Sequence, residues 1–210
     1  MMSEVRALLA ASIIRSGACS LVRLERPAHN RAATGSNPVR PMILIKNHEM
    51  GGFLIRTFDT SEGIGGLLNT FRNITKDSRK ITFIGTPGFC TPFAEILSYV
   101  IRDSNQELAF IPNTSVDKAK TIISTPHGMQ LGDDTNPSAD TIVLLGGLAI
   151  PKMNIDVNDV KKVIEDISEP KDRKVIGVCF MSMFQEAGWI DIIEFDYLLD
   201  SYLKITSMEN

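Results

Sequence analysis

Four short apolar runs, separated by helix-length stretches, constrain the fold of this chain more than any other feature. Lys80 to Ile84 ends at Gly85, Glu107 to Ile111 ends at Pro112, Thr141 to Leu145 ends at Gly146-Gly147, and Lys174 to Val178 ends at Cys179. Runs with Ile, Leu and Val on both faces belong to strands covered on both sides. Their alternation with segments of helical period indicates βαβ units around a parallel sheet.

The intervening segments supply the helices. Ser61 opens one that carries Ile64, Leu67, Leu68, Phe71 and Ile74 on one face at 3-4 spacing. A second is expected from about Pro92 to Arg102, with Thr91 as its cap, Pro92 at the first helical position and Glu95 in the first turn. Ser115 is read as the cap of a short helix reaching about Ile122, and Asp156 as the cap of a helix from Val157 to Ile167. A short helical stretch leads to Trp189, and the run from Phe195 to Leu199 is read as an edge strand. Met42 to Ile45 and Gly52 to Phe58 are further β-prone runs. The expectation is one three-layer α/β domain over residues 42–210, Rossmann-like or flavodoxin-like, with a mainly parallel sheet.

Residues 1–41 differ from the rest of the chain. They hold six Arg, no Lys, and only Glu4 and Glu25 as acids, whereas the chain after Met42 is clearly acidic. A targeting segment is one reading of an Arg-rich, acid-poor start, and a lipoprotein signal ending at Cys19 is a second. The third, preferred here, is a false start. Leu24 to Arg31 followed by Thr34 to Val39 resembles the translation of a transfer-RNA gene, in which Gly-Ser-Asn-Pro is encoded by the T-arm. On that reading Met42 is the natural start, residues 1–41 are disordered, and Cys19 and His29 carry no function.

Composition narrows the function classes. The chain has 210 residues, a net charge of -3 and 43% hydrophobic residues, which suits a globular domain of ordinary size. No apolar run approaches the ~20 residues of a membrane-spanning helix. The acidic balance gives no electrostatic footprint for nucleic acid or anionic lipid.

Architecture then predicts where a site lies. In open parallel sheets, ligands bind beyond the carboxyl ends of the strands, where the strand order reverses. The segments expected there are 85–91, 112–114, 146–152 and 179–182. Gly85, Thr86, Gly88, Thr91, Gly146, Gly147, Lys152, Cys179 and Ser182 are the candidate binding residues: glycines for close approach, Lys152 for an anion, the sulfur of Cys179 for a soft contact.

The motifs restrict the chemistry. A Walker loop is absent, and Gly85 and Gly88 give G-x-x-G rather than G-x-G-x-x-G. Cys90 precedes the expected cap, where helix N–H groups can stabilise a thiolate, although Glu95 opposes that effect. His127, in Thr125-Pro126-His127-Gly128, is the candidate base for a Cys90 nucleophile. The bland readings are a buried Cys90, a surface His127 and a solvated Lys152. The run from Cys179 to Phe184 reads either as a core-packing strand end or as a flexible partner surface. One Cys per loop makes no CxxC pair, and Asp133 and Asp134 lack calcium-loop spacing; no metal site is expected.

From about Gly65 to Leu199 the chain resembles a known archaeal family. The likeness rests on Gly88 to Glu95, Gly128 to Gly132, Leu144 to Lys152 and Gly177 to Ser182, extended by Ala187-Gly188-Trp189 and Phe195-Asp196-Tyr197. The family is domain-of-unknown-function class 2124, found mainly in methanogens. It implies an archaeal cytoplasm and no established activity. The leading expectation is a module that binds a small molecule or cofactor, or a methanogenesis enzyme, in the crevice at 85–91, 146–152 and 179–182. The alternatives are a thiol-dependent enzyme using Cys90 with His127 or Glu95, and a non-catalytic interaction partner. Cofactor identity, oligomeric state and strand order are not fixed by the sequence.

Overall fold

The computed structural model describes residues 38–46, 53–57, 60–169 and 173–209. Most of the segment read as a false start, with Cys19 and His29, lies outside the described residues. Its last part does not: β1, Pro38–Lys46, begins four residues before Met42.

Strand β1 is followed by β2 (Phe53–Thr57), β3 (Ser61–Glu62) and helix α1 (Gly63–Thr75). Next come β4 (Lys80–Gly85), α2 (Thr91–Tyr99), β5 (Glu107–Pro112), β6 (Lys120–Thr125) and β7 (Gly128–Asp134). The chain continues with β8 (Thr141–Leu145), α3 (Val157–Ile167), β9 (Lys174–Phe180), α4 (Met183–Glu186) and β10 (Tyr197–Ser201). The strands form one sheet in the order β2-β1-β10-β9-β8-β4-β5-β6-β7, with β3 paired to β1. Its centre, β5-β4-β8-β9-β10, is parallel throughout, and antiparallel strands extend both sides.

Counted along the chain, the parallel strands stand in the order 2-1-3-4-5. The chain passes from β4 to β5, then returns across β4 to β8 and proceeds the other way. The reversal therefore falls between β4 and β8.

Alternation along each central strand builds two cores. Ile81, Phe83, Val143, Leu145, Ile176 and Val178 meet Leu67 and Phe71 of α1 and Ala94 and Leu97 of α2 on one face. On the other, Ile84, Ile142, Leu144, Val175 and Cys179 meet Val160, Val163, Ile164 and Ile167 of α3 and Phe184 of α4. Helix α3 forms where the sequence predicts it: the four apolar residues recur at 3-4 spacing, and Asp156 caps the start by accepting from the Asn158 N–H at 2.8 Å.

Three expectations are corrected. The segment read as a helix from Ser115 is one short 3₁₀ turn, Val116–Lys118, followed by the β6–β7 hairpin. The β-branched residues Thr121, Ile122, Ile123 and Thr125 favour extended backbone. The hairpin turn is closed by Gly128 at φ 112° and by Thr125 Oγ1 donating to the Gly128 carbonyl at 2.8 Å. The last strand is interior rather than an edge, because β1 pairs with its outer side, Met42 opposite Leu198. Helix α2 ends at Tyr99, not Arg102, and begins with Thr91 itself; Cys90 occupies the cap position. Glu95 consequently lies beyond the first turn, which holds no acid.

Candidate ligand pocket at the carboxyl edge of the sheet

The strand-order reversal opens between Gly85, the last residue of β4, and Gly146, which comes directly after β8. Two turns stand over it. The first, Thr86 to Cys90, is closed by the Cys90 N–H donating to the Thr86 carbonyl at 2.8 Å, with Gly88 at φ 79°. The second is the 3₁₀ turn Gly146–Ala149. Thr86 Oγ1 donates to the Gly147 carbonyl at 3.2 Å and ties the turns together. Asn113 N–H, at the end of β5, donates to the Gly85 carbonyl at 2.8 Å.

Between these turns and β9 lies a cavity of about 260 Å³. Its floor is Cys90, Leu145, Gly146, Gly147 and Val178; its walls are Phe93, Phe180, Ile150 and Met183, and Phe89 forms the lip. The rings of Phe93 and Phe180 pack with centroids 5.1 Å apart. No side chain of the lining carries a charge.

Cys90 reaches this floor because two neighbours lack side chains. A Cβ on Gly85 would stand 2.4 Å from Cys90 Cβ, and one on Gly147 would stand 2.4 Å from Cys90 Sγ. Close packing leaves Cys90 only 2% exposed. Burial pushes its thiol up from the ordinary thiol range, against weaker opposing hydrogen bonds at Thr86 and Gly147. The group is a neutral thiol at neutral pH, not the helix-stabilised thiolate that its position before α2 suggested.

Cys179 approaches the same glycine pair from the other side. A Cβ on Gly146 would meet Cys179 Cβ at 2.7 Å. Yet Cys179 belongs to the α3 core, not to the cavity lining. Its Sγ lies 3.5 Å from Asp200 Oδ1. Burial first, and the Asp200 charge second, push this thiol far above its usual range. The two sulfurs thus flank one turn but face different layers.

Ser182 sits in a turn after β9 in which Met181 and Ser182 have φ of 54° and 57°. Asp200, 2% exposed, holds this left-handed corner. It accepts from the Ser182 N–H at 2.9 Å and from Ser182 Oγ at 3.0 Å, and Tyr202 Oη bonds to the same hydroxyl. Thr91 is half-buried and Lys152 exposed, the latter on the 3₁₀ turn Pro151–Met153 just past Ile150.

His127 is not brought to Cys90. Strand β6 runs antiparallel to β5, with Thr121 opposite Ala109. Its far end, and the exposed His127 beyond it, therefore lie past the amino end of β5, while Cys90 stands at the carboxyl edge. Among the described residues, no group of three His, Cys, Asp or Glu side chains could hold a metal ion. No helix among them is long and apolar enough to cross a membrane.

Sequence reasoning found the segments that hold Phe89, Ile150 and Phe180 without singling out these side chains, and it left Phe93 and Met183 outside the crevice. The signal for one of them was present in the strand period. Val178 faces the cavity, so Phe180 must share its face and Cys179 must oppose it.

Comparison with known proteins agrees with this architecture. A crystal structure of a protein of unknown function from Methanothermobacter thermautotrophicus superposes with a TM-score of 0.71 at 36% identity, covering 75% of this chain and 99% of that one. An uncharacterized protein of Methanocaldococcus jannaschii is 43% identical over 155 residues, 72% of this chain and 93% of its own. Another from Methanothermobacter thermautotrophicus is 41% identical over 139 residues, 66% of this chain and 89% of its own. Residues 62–204 match the family described as "Uncharacterized protein conserved in archaea (DUF2124)", and the chain belongs to that family.

Proposed function

We propose that this protein is a small-molecule-binding module of flavodoxin-like type, whose ligand seats one group in the cavity between Cys90, Gly147 and Phe180. The strand order supports this type, since 2-1-3-4-5 is the flavodoxin-like order and the classic Rossmann order is different. The observation that carries the reading is an open apolar cavity at the switch point whose lip residue, Phe89, is 60% exposed. Ligand sites in such sheets collect at this place, and a large exposed aromatic gains from being covered. The relatives come from methanogens, which puts the cofactors of methanogen metabolism first among ligands to search for.

The thiol-enzyme reading has less support. Its nucleophile is buried and neutral; of its two candidate assisting groups, His127 is on the opposite sheet edge and Glu95 does not line the cavity. The interaction-partner reading keeps only Met181 as an exposed residue of the Met/Phe run, because Phe180 and Met183 are committed to the cavity wall. Anaerobic purification from native cells, followed by mass analysis of extracted small molecules, tests the proposal. A stoichiometric small molecule is expected. A stoichiometric protein companion with no small molecule would favour the interaction reading instead.

A further inference from the structure

Resting on the binding-module reading, we propose that this cavity takes an uncharged, flat ring system and rejects a phosphate, so the ligand is not seated as a nucleotide phosphate is. The first argument is the donor inventory at the start of α2. Phosphate sites at this position of a parallel sheet use successive free N–H groups at the helix start. Here the row is broken: the Cys90 N–H is spent on the Thr86 carbonyl. Pro92, in the first turn, has no N–H to offer.

The second argument is desolvation. An anion seated against Phe89, Phe93 and Phe180 would lose its water without gaining a cation, since the lining holds no Lys or Arg. The thiol of Cys90 stays neutral because burial raises its pKa, so it offers a soft, uncharged contact to a ring.

The third argument is size and shape. An apolar cavity of about 150 Å³ accommodates benzene. At about 260 Å³, this one suits a bicyclic ring. The Phe93–Phe180 pair presents aromatic surface on one side, and the bare Gly147 lets the Cys90 sulfur seat against it in the floor. Phe89 stands ready to cover the ring's outer face.

The full chain is titrated with 2-naphthol, a neutral bicyclic probe, and separately with AMP, by equilibrium dialysis. Saturable binding of one equivalent of 2-naphthol and none of AMP is expected. Ile150→Trp, which fills the cavity from a half-buried loop position, should abolish 2-naphthol binding. Phe89→Ala, at an exposed position that folding does not need, should weaken it roughly three- to tenfold. Saturable AMP binding displaced by inorganic phosphate would overturn the ring assignment while leaving the binding-module reading intact. So would 2-naphthol binding that Ile150→Trp leaves unchanged. Absence of 2-naphthol binding also overturns it, and the native extraction then decides the broader reading separately.

Discussion

The two edges of the central sheet are built differently. At the amino edge, polar groups lock neighbouring strands together. Asp140 accepts from the Arg79 N–H at 2.9 Å and from Arg79 Nε at 3.2 Å, and Arg79 Nη2 reaches Glu169 at 2.9 Å. Ser78 and Thr141 hydroxyls meet at 2.7 Å, Thr82 Oγ1 donates to the Pro137 carbonyl at 2.8 Å, and Lys174 Nζ donates to the Ile74 carbonyl at 2.7 Å. At the carboxyl edge the turns are glycine-rich, the surfaces are apolar, and Phe89 and Met181 are more than half exposed. One edge is tied across its strands by polar side chains, as a part serving stability is. The other leaves apolar surface uncovered, as a part serving recognition does.

The largest effect is expected where a buried charge holds up the open edge. Asp200→Ala removes the acceptor of two Ser182 bonds and frees a corner of two left-handed residues. Its stability cost is about 3 kcal/mol, read by urea denaturation, and binding of 2-naphthol should fall with it because Phe180 and Met183 flank the corner. Asp140→Ala sharpens the contrast from the other edge. It strands the Arg79 N–H, and the exposed guanidinium adds little, so about 2 kcal/mol is expected. Probe affinity measured on the still-folded fraction should not change.

A third prediction concerns pH. The Cys90 thiol has a folded pKa above its unfolded value of about 8.5. The folded state therefore holds the proton more tightly. Its contribution to stability is present in full below the unfolded pKa and is lost as pH rises through the folded one. Labelling of the native chain by a thiol reagent should lag behind that of the urea-unfolded chain across this window. Native labelling of Cys90 at neutral pH as fast as that of a free thiol would restore the thiol-enzyme reading. The smallest effect belongs to Lys152→Ala, which removes an exposed cation and should change stability by less than about 0.5 kcal/mol. It should leave 2-naphthol binding as it was.

Much of the fold is legible in the residues alone. Strands β4, β5, β8 and β9 are apolar on both faces and have Gly, Pro or Cys within one residue of their ends, so local composition marks them. Helix α3 announces itself through Asp156 and a 3-4 stripe. The hairpin at 120–134 was hidden because Lys120 opens its first strand with a charge and its second strand, from Gly128, carries few β-formers. The place of β10 could not be read locally, since its covering strand β1 is some 150 residues away in the chain. For the site, the switch-point rule located the turns, and the strand period could have assigned Phe180 and Cys179 to opposite layers. What no local rule supplies is the meeting of Phe93 with Phe180, or the seating of Cys90 against Gly85 and Gly147. Those contacts depend on how α2 settles on the sheet.

The contrast between edges is tested most directly by methyl NMR of the full chain during addition of 2-naphthol. Leu145, Ile150, Val178 and Met183 methyls, which line the cavity, should shift together and saturate at one equivalent, while Leu108 and Ile167 near the amino edge stay fixed. Shifts centred on the amino edge, or cavity methyls that do not move, would contradict the account.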